Sequence, residues 1–388
     1  MKWPLNISHF TFLDRLKICL FFLNPKKVWT MGAEVESLEK VMAEYTGARY
    51  AVFTSSGSTA NSLIAMSLKD LKKAELWSHD KCEIVFPSTT WATSVTPFIR
   101  EGFIPKFIDV CPHDLSLDLH LLEQYLSEHS RKVRCVFLTS LLGFTPNIDA
   151  IKAISQKYKV EVMLDNCESH LGRFQNENIN SFFTSTTSTY FGHLVQSIEG
   201  GFVFTNSKKE YEYFVMARNH GMTRSLKSPE PYLNPLVDPR FDFYTKGSNF
   251  KNSNVNALIC NLNFQRVDKY IKARVHKYQL FKEGMAKILD FPEESSSKMH
   301  VPFSLPIIPK KEYLDKVPLF KQYCESHSIE MRPLVSGNLL TQTAFKEYGN
   351  GADFKYSTFL HDHCFYIGLH PSLKDSSIRK LCKEFNKI

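Results

Sequence analysis

The chain has 388 residues, 43% of them hydrophobic and 23% charged, which suits two domains or one large α/β domain carrying a smaller one and is too apolar for a disordered protein. Its net charge of +8 comes from 48 basic and 40 acidic residues spread along the whole length, with no arginine-rich arm or zinc-finger spacing, so nucleic-acid binding is not expected. The nine cysteines include no C-x-C or C-x-x-C pair, which reads as reduced thiols in a cytoplasmic protein without a metal site.

Near the N-terminus, the apolar run 18–23 follows Arg15 and Lys17 and is bounded by Asn24-Pro25-Lys26-Lys27. It has no small-residue cleavage site, and no run approaches the roughly twenty apolar residues that span a bilayer, so a packed arm at a subunit contact is expected and a membrane partner is not. Val35, Leu38, Val41, Met42 and Tyr45 recur at helical spacing with Glu36, Glu39 and Lys40 between them, which predicts an amphipathic helix. A strand is predicted at 50–53, followed by the small polar run Ser55-Ser-Gly-Ser-Thr59 and a helix over 59–68. Further strands are predicted at 83–86, 106–109, 133–138, 160–164, 186–191 and 201–205, with helix-length segments such as 121–127 and 148–157 between them.

Strands separated by helices imply right-handed crossovers and a mostly parallel sheet covered on both faces, an α/β architecture. Ligands gather at the carboxyl ends of such strands, and the 55–59 run, Asp165 and Gly192-His193 all fall there. After about residue 265 the pattern changes to a polar helical region (265–289), a stretch with prolines and serines (291–309), and then mixed helix and strand signals. A large domain over 1–265 and a smaller α+β domain over 266–388 are therefore expected, with a long helix around 267–286 as the bridge.

Individually, the motifs at the strand ends are ambiguous. Ser56-Gly57-Ser58 before a helix offers backbone N–H groups and a hydroxyl to a phosphate, and reads equally as a turn with an N-cap. Asp165 can keep a pyridine nitrogen protonated so that the ring becomes an electron sink, or can serve as a helix cap or surface acid. Trp91, in Ser88-Thr-Thr-Trp91, suits stacking on a flat ring or a place in the core.

Their order and spacing form a recognisable set. Residues 32–38 (GAEVESL), 56–58, Thr90-Trp91, Phe107-Ile-Asp-Val110, Asp165, Ser188, Glu199-Gly-Gly201, Asn219-His-Gly-Met222, Arg332-Pro-Leu334, Gly337-Asn-Leu339 and 365–371 together resemble the DegT-type sugar aminotransferases. These are fold-type-I pyridoxal-phosphate (PLP) enzymes acting on nucleotide-linked keto-sugars, and the resemblance covers nearly the whole chain. It implies a large α/β/α domain with a smaller C-terminal α+β domain, and a cofactor alternating between PLP and pyridoxamine 5'-phosphate (PMP). By this resemblance Gly57, Ser58 and Ser188 would hold the cofactor phosphate, Trp91 would stack on the pyridine ring, Asp165 would pair with its nitrogen, and Glu168 would face its phenolic oxygen. Asn249, in Gly247-Ser-Asn-Phe-Lys251, is similar to the residue that reaches the phosphate from the neighbouring subunit, which implies a homodimer with shared active sites.

Five residues after Ser188, where most of the family has lysine, this chain has His193. A primary amine can form a Schiff base with an aldehyde and an imidazole cannot, although the imidazole remains a proton-transfer group. The histidine-bearing 3-dehydratase subgroup has a similar Phe-Gly-His…Ile-Glu-Gly-Gly context. The resemblance therefore implies loss of the 3-hydroxyl from a nucleotide-linked 4-keto-6-deoxyhexose, GDP-4-keto-6-deoxymannose, with glutamate as amino donor and ammonia as by-product, in deoxysugar and O-antigen synthesis. His193 would be the catalytic acid–base group, a role typically contributing about 10²–10⁴ in rate.

A second histidine-bearing group carries an iron–sulfur cluster on closely spaced C-terminal cysteines, a spacing that Cys324, Cys364 and Cys382 lack. The alternatives are a nucleotide-sugar aminotransferase or isomerase that tolerates histidine, and a catalytically silent PLP-binding regulatory protein. His220 and Arg224 are candidate substrate contacts, with Arg224 also reading as a loop anchor. Lys251 stands where the resemblance would have arginine; it keeps the charge without the two-pronged grip on a carboxylate, which bears on the identity of the amino donor.

Overall fold

The computed structural model describes residues 2–71 and 82–388. Its main sheet contains β1 (Tyr50–Thr54), β2 (Glu83–Pro87), β3 (Ile104–Ile108), β4 (Val133–Thr139), β5 (Glu161–Asp165), β8 (Thr184–Ser188) and β9 (Gly201–Thr205). The order is β1-β9-β8-β5-β4-β2-β3. Neighbours from β3 to β8 pair in parallel, while β9 is antiparallel to both β8 and β1, so β9 alone runs against the other six. The mostly parallel sheet read from the sequence is thus present, with one reversal.

Period-two alternation buries both faces of this sheet. Ile84, Phe86, Cys135, Phe137 and Met163 pack on one face with Leu63, Ile64 and Phe98, while Val85, Val136, Leu138 and Leu164 pack on the other with Leu122, Leu126 and Ile151. A strand buried on both faces needs apolar residues at successive positions, as in Val133–Thr139, which is buried throughout. Helices Gly57–Asp70 and Ala92–Arg100 supply the first covering layer, and Leu119–His129 and Ile148–Tyr158 the second.

The strand predicted over 186–191 stops earlier, at Ser188. Its partner β9 begins at Gly201, directly opposite Ser188, so no ladder continues beyond that residue. Residues 190–193 turn instead, with His193 N–H donating to the Tyr190 carbonyl at 2.8 Å. Short strands β6 (Arg173–Phe174) and β7 (Glu177–Asn178) pair with β10 (Lys298–Met299) in a separate ribbon.

Near the C-terminus, β11 (Ser304–Ile307), β12 (Met331–Pro333) and β13 (Phe365–Gly368) form an antiparallel sheet in the order β11-β13-β12. Leu305, Ile307, Phe320, Ile367 and Phe385 share a core with Trp3, Leu141, Leu142 and Phe144. Helix Val267–Met285 spans two cores: Val267 and Ile271 pack with Phe53 and Phe202, while Tyr278, Phe281 and Met285 enter the core of the smaller sheet.

The N-terminal apolar run lies on helix Phe12–Leu23, but Phe12, Leu13, Leu16, Leu20 and Leu23 are exposed and only Asp14 and Phe21 are buried. The packed part of the arm is the extended segment before it, anchored by the buried Trp3. No described helix is long and apolar enough to cross a membrane.

Candidate active site

Because six strands point the same way, their carboxyl ends converge on one edge. A cavity of about 590 Å³ opens there, lined by Gly57, Ser58, Trp91, Asp165, Glu168, Ser188 and His193 among others. Seven of the residues singled out in the sequence therefore meet in one place.

Ser56 caps helix Gly57–Asp70 reciprocally. Its hydroxyl accepts Thr59 N–H at 3.1 Å, and the Thr59 hydroxyl accepts Ser56 N–H at 3.0 Å. Gly57 and Ser58, at the start of the helix, have N–H groups with no intrahelical acceptor, and the helix dipole makes that end positive. A Cβ at Gly57 would lie 2.9 Å from both Cys167 Sγ and Ser188 Cβ, so only glycine lets the helix start press against Ser188. Ser58 Oγ lies 2.8 Å from Thr93 Oγ1, and Ser188 Oγ accepts Tyr190 N–H at 3.2 Å, which leaves the Ser188 proton for another acceptor. Two hydroxyls at a helix N-terminus fit a phosphate.

Asp165 ends β5 and is 3% exposed. Its Oδ2 accepts Asn61 Nδ2 at 2.8 Å and the Ser94 hydroxyl at 2.6 Å, and its Oδ1 accepts Cys167 N–H at 3.1 Å. Three donors from separate elements hold an acceptor at the cavity wall, an arrangement suited to a protonated ring nitrogen. Trp91 opens helix Ala92–Arg100 with its indole 57% exposed, which rules out the core position and leaves a flat apolar surface at the cavity.

Glu168 accepts Leu142 N–H at 2.8 Å. Burial pushes its carboxyl up to about 7, outweighing that hydrogen bond, and the negative charge of Asp165 adds to the rise. The group is thus poised to share a proton with a phenolic oxygen.

His193 ends the 190–193 turn with its ring centroid 5.6 Å from that of Phe303. Burial lowers the imidazole to about 3, and His170 lowers it further, against a weak opposing effect of the Cys167 carbonyl. At neutral pH the ring is therefore unprotonated and able to accept a proton. Among the described residues its Nδ1 is buried without a hydrogen-bond partner. His170, buried behind the cavity, is held at about 4 by burial, with its Nδ1 at 3.3 Å from the Cys167 carbonyl.

Several lining residues were not singled out in the sequence. Asn61 lies one helical turn after Gly57 and so shares its face, a signal that the spacing contained. Asn6, Arg274 and Glu330 come from segments far from the strand ends, and no local pattern marks them; Arg332 and Tyr366 were noted only as part of the family resemblance. Arg274 donates to the carbonyls of Phe303 at 2.9 Å and Leu369 at 2.5 Å, and burial lowers its guanidinium to about 9.

Asn249, Lys251, His220 and Arg224 do not line this cavity. Asn249 is exposed and pairs through its backbone with Asn219, while Lys251 bridges Thr54. His220 has a left-handed backbone (φ 62°), and the exposed Arg224 lies over the Phe241 ring at 5.4 Å. The three C-terminal cysteines Cys324, Cys364 and Cys382 lie in the core of the smaller sheet, where burial raises all three thiols.

A family model for the DegT/DnrJ/EryC1/StrS aminotransferase family matches residues 22–386. GDP-4-keto-6-deoxy-D-mannose 3-dehydratase of Yersinia pseudotuberculosis is 28% identical over 368 residues, covering 91% of each chain. The solved structure of the Escherichia coli enzyme of that name with bound hydrated PLP superposes with a TM-score of 0.89 at 26% identity, covering 99% of both chains. A structure of GDP-4-keto-6-deoxymannose-3-dehydratase with a trapped PLP-glutamate geminal diamine gives 0.90 at 25% identity, covering 98% of this chain and 99% of that one.

Proposed function

Since this chain belongs to the DegT/DnrJ/EryC1/StrS aminotransferase family, we propose that it is a PLP-dependent 3-dehydratase of a nucleotide-linked 4-keto-6-deoxyhexose, with GDP-4-keto-6-deoxymannose as substrate and glutamate as amino donor. The fold is that of the fold-type-I PLP enzymes. The observation that carries the reading is His193: an imidazole kept neutral by burial stands in the cavity beside Asp165, Glu168 and Ser188.

When bound and converted by glutamate to PMP, the cofactor supplies an amine that joins the sugar's 4-keto carbon and a ring that accepts the electron pair released at C4′. Gly57, Ser58 and Ser188 hold its phosphate, and Trp91 stacks on the ring. Asp165 keeps the ring nitrogen protonated, and Glu168 shares a proton with the phenolic oxygen. His193 would serve as the base at C4′ and as the acid that protonates the departing 3-hydroxyl, which would leave as water. An imidazole cannot exchange with the cofactor as a lysine amine does, so nothing retains the nitrogen on the sugar. Hydrolysis then yields ammonia and a 4-keto-3,6-dideoxy sugar.

The site is completed in a cytoplasmic homodimer, with Asn249 reaching the partner's cofactor phosphate and Lys251, His220 and Arg224 contributing to substrate binding across the subunit boundary. In support, Asn249 is exposed on the segment whose Phe250 carbonyl accepts Ser55 N–H at 3.0 Å, next to the phosphate cradle, and Phe241, Phe243 and Tyr244 nearby in sequence are exposed aromatics. Residues 1–265 form the cofactor-binding domain and 266–388 the smaller one.

Incubation of the protein with PLP, glutamate and GDP-4-keto-6-deoxymannose tests the reading through ammonia release and sugar mass. A deoxygenated keto-sugar with ammonia is expected. An amino-sugar would sink the dehydratase, and no turnover on any nucleotide-linked keto-sugar would leave a silent PLP-binding protein.

A further inference from the structure

The turn that carries His193 has little packing of its own. Tyr190 is 50% exposed and Phe191 38% exposed, so ahead of the buried Leu194 and Val195 the turn is held largely by polar contacts. On its inner side Tyr190 N–H donates to Ser188 Oγ at 3.2 Å. On its outer side Asn6 Nδ2 donates to the Phe191 carbonyl at 2.7 Å.

Asn6 belongs to an extended strap, residues 3–9, which precedes the region matched by the family model. One end of the strap is locked to the smaller sheet. Trp3 is 4% exposed, its indole N–H donates to the Gly368 carbonyl at 2.8 Å, and its backbone exchanges bonds with Ser328 (3.0 Å) and Glu330 (2.9 Å). A Cβ at Gly368 would lie 2.2 Å from the Pro4 carbonyl oxygen, so the strap runs against bare backbone there. The other end is held by the large sheet's side of the molecule: the Ile7 carbonyl accepts Gln196 Nε2 at 3.1 Å, and the His9 carbonyl accepts Arg266 at 3.2 Å. Between these anchors Asn6 is itself fixed, because its Oδ1 accepts Ile7 N–H at 2.9 Å.

We infer that Asn6 is a positioning residue for His193: its amide holds the Phe191–Gly192 peptide so that the imidazole stays at the cavity wall, and the strap ties that peptide to the smaller domain. The inference rests on the acid–base role proposed for His193. Without the amide donor the Phe191 carbonyl has only solvent to face, and a displacement of about 1 Å at a reacting group costs on the order of 10²-fold in rate.

Asn6→Asp tests this, since it keeps the acceptor that fixes Ile7 while replacing the N–H donor by a carboxylate oxygen that repels the Phe191 carbonyl; Asn6→Gln keeps a neutral donor on a longer stem and serves if the first variant fails to fold. Two quantities are read on each: hydrogen–deuterium exchange of the 190–197 peptide in the protein without cofactor, and the single-turnover conversion of bound PLP by glutamate. Asn6→Asp is expected to exchange faster over 190–197 with peptides over 328–333 unchanged, and to slow the conversion at least ~10-fold at unchanged glutamate KM. Asn6→Gln is expected to recover part of both. Wild-type exchange or a wild-type rate in Asn6→Asp overturns the inference. If the wild-type protein does not convert PLP at all, the proposed function fails, and exchange alone decides whether Asn6 holds the turn.

Discussion

The side-chain amide of Asn61 donates to Asp165 Oδ2 at 2.8 Å, and its carbonyl accepts the Thr186 hydroxyl at 2.6 Å, so one residue of the first covering helix joins the end of β5 to the middle of β8. Replacing it by leucine takes the acceptor from the buried Thr186 hydroxyl and removes one of the three donors to Asp165. Asn61→Leu is expected to cost about 1–3 kcal/mol of stability, the penalty of an unmet buried polar group, and to weaken PLP binding. Thermal melts with and without PLP check this; a variant with wild-type melting and PLP affinity would mean that Asp165 does not depend on Asn61.

His193→Asn keeps a polar side chain in the turn and removes the proton acceptor. PLP binding should persist while conversion of PLP by glutamate falls about 10²–10⁴-fold. Stopped-flow absorbance of the bound cofactor gives the rate, and conversion at the wild-type rate would assign the proton transfer to another group.

Glu168 is lifted from 4.5 to about 7 in the folded chain, chiefly by burial. A raised carboxyl favours folding where it is protonated in both states, so its contribution is complete below about pH 4.5 and is lost as pH rises through 7. Without cofactor, Glu168→Gln should therefore melt higher than wild type at pH 8 and nearly level with it at pH 4.5. Parallel shifts at both values would remove burial of the charge as the cause.

Four histidines, His170 and His370 fully buried and His9 and His193 partly so, behave in the opposite sense. His9, His170 and His370 are held at about 4 and His193 at about 3, all mainly by burial. The unfolded chain takes up their protons near 6.5, so the stability they contribute is complete above 6.5 and drains as pH falls toward 4. His170→Gln should lose less stability than wild type between pH 7 and 5, measured as the change in urea midpoint. An equal loss in both proteins would exclude His170 from this linkage.

A shared site can be tested by mixing subunits. If Asn249 serves the partner's cofactor phosphate, Asn249→Asp and His193→Asn homodimers are each impaired, but a mixed dimer holds one intact site. Subunits exchanged at equal amounts should recover up to about a quarter of wild-type activity, since half the dimers are mixed and one site in each is whole. Recovery of nothing, with exchange verified by mass, would place Asn249 in its own subunit's site.

The order of elements was legible because each strand and helix announces itself locally. Val133–Thr139 is apolar except at Arg134 and Thr139, the helix before β1 repeats at 3.6 residues, and the Ser56 cap is written in four consecutive residues. Those local rules also placed the 55–59 run, Asp165 and His193 at the strand ends, while Glu168 and Ser188 were marked only by the family resemblance. They misjudged the strand at 186–191, because a strand ends where its partner does, and the partner of Ser188 is Gly201.

Tertiary structure alone decided the rest. Asn6, Glu330 and Tyr366 reach the cavity from opposite ends of the chain, and no periodicity marks a residue whose neighbours are hundreds of positions away. The protonation states were equally hidden: the sequence supplied an imidazole at 193 and a carboxyl at 168, but a neutral ring at about 3 and a carboxyl near 7 arise from the low-dielectric packing around them. Desolvation belongs to the surroundings and not to the side chain, so the sequence by itself supplied the two titratable groups and the fold set the protonation in which they rest.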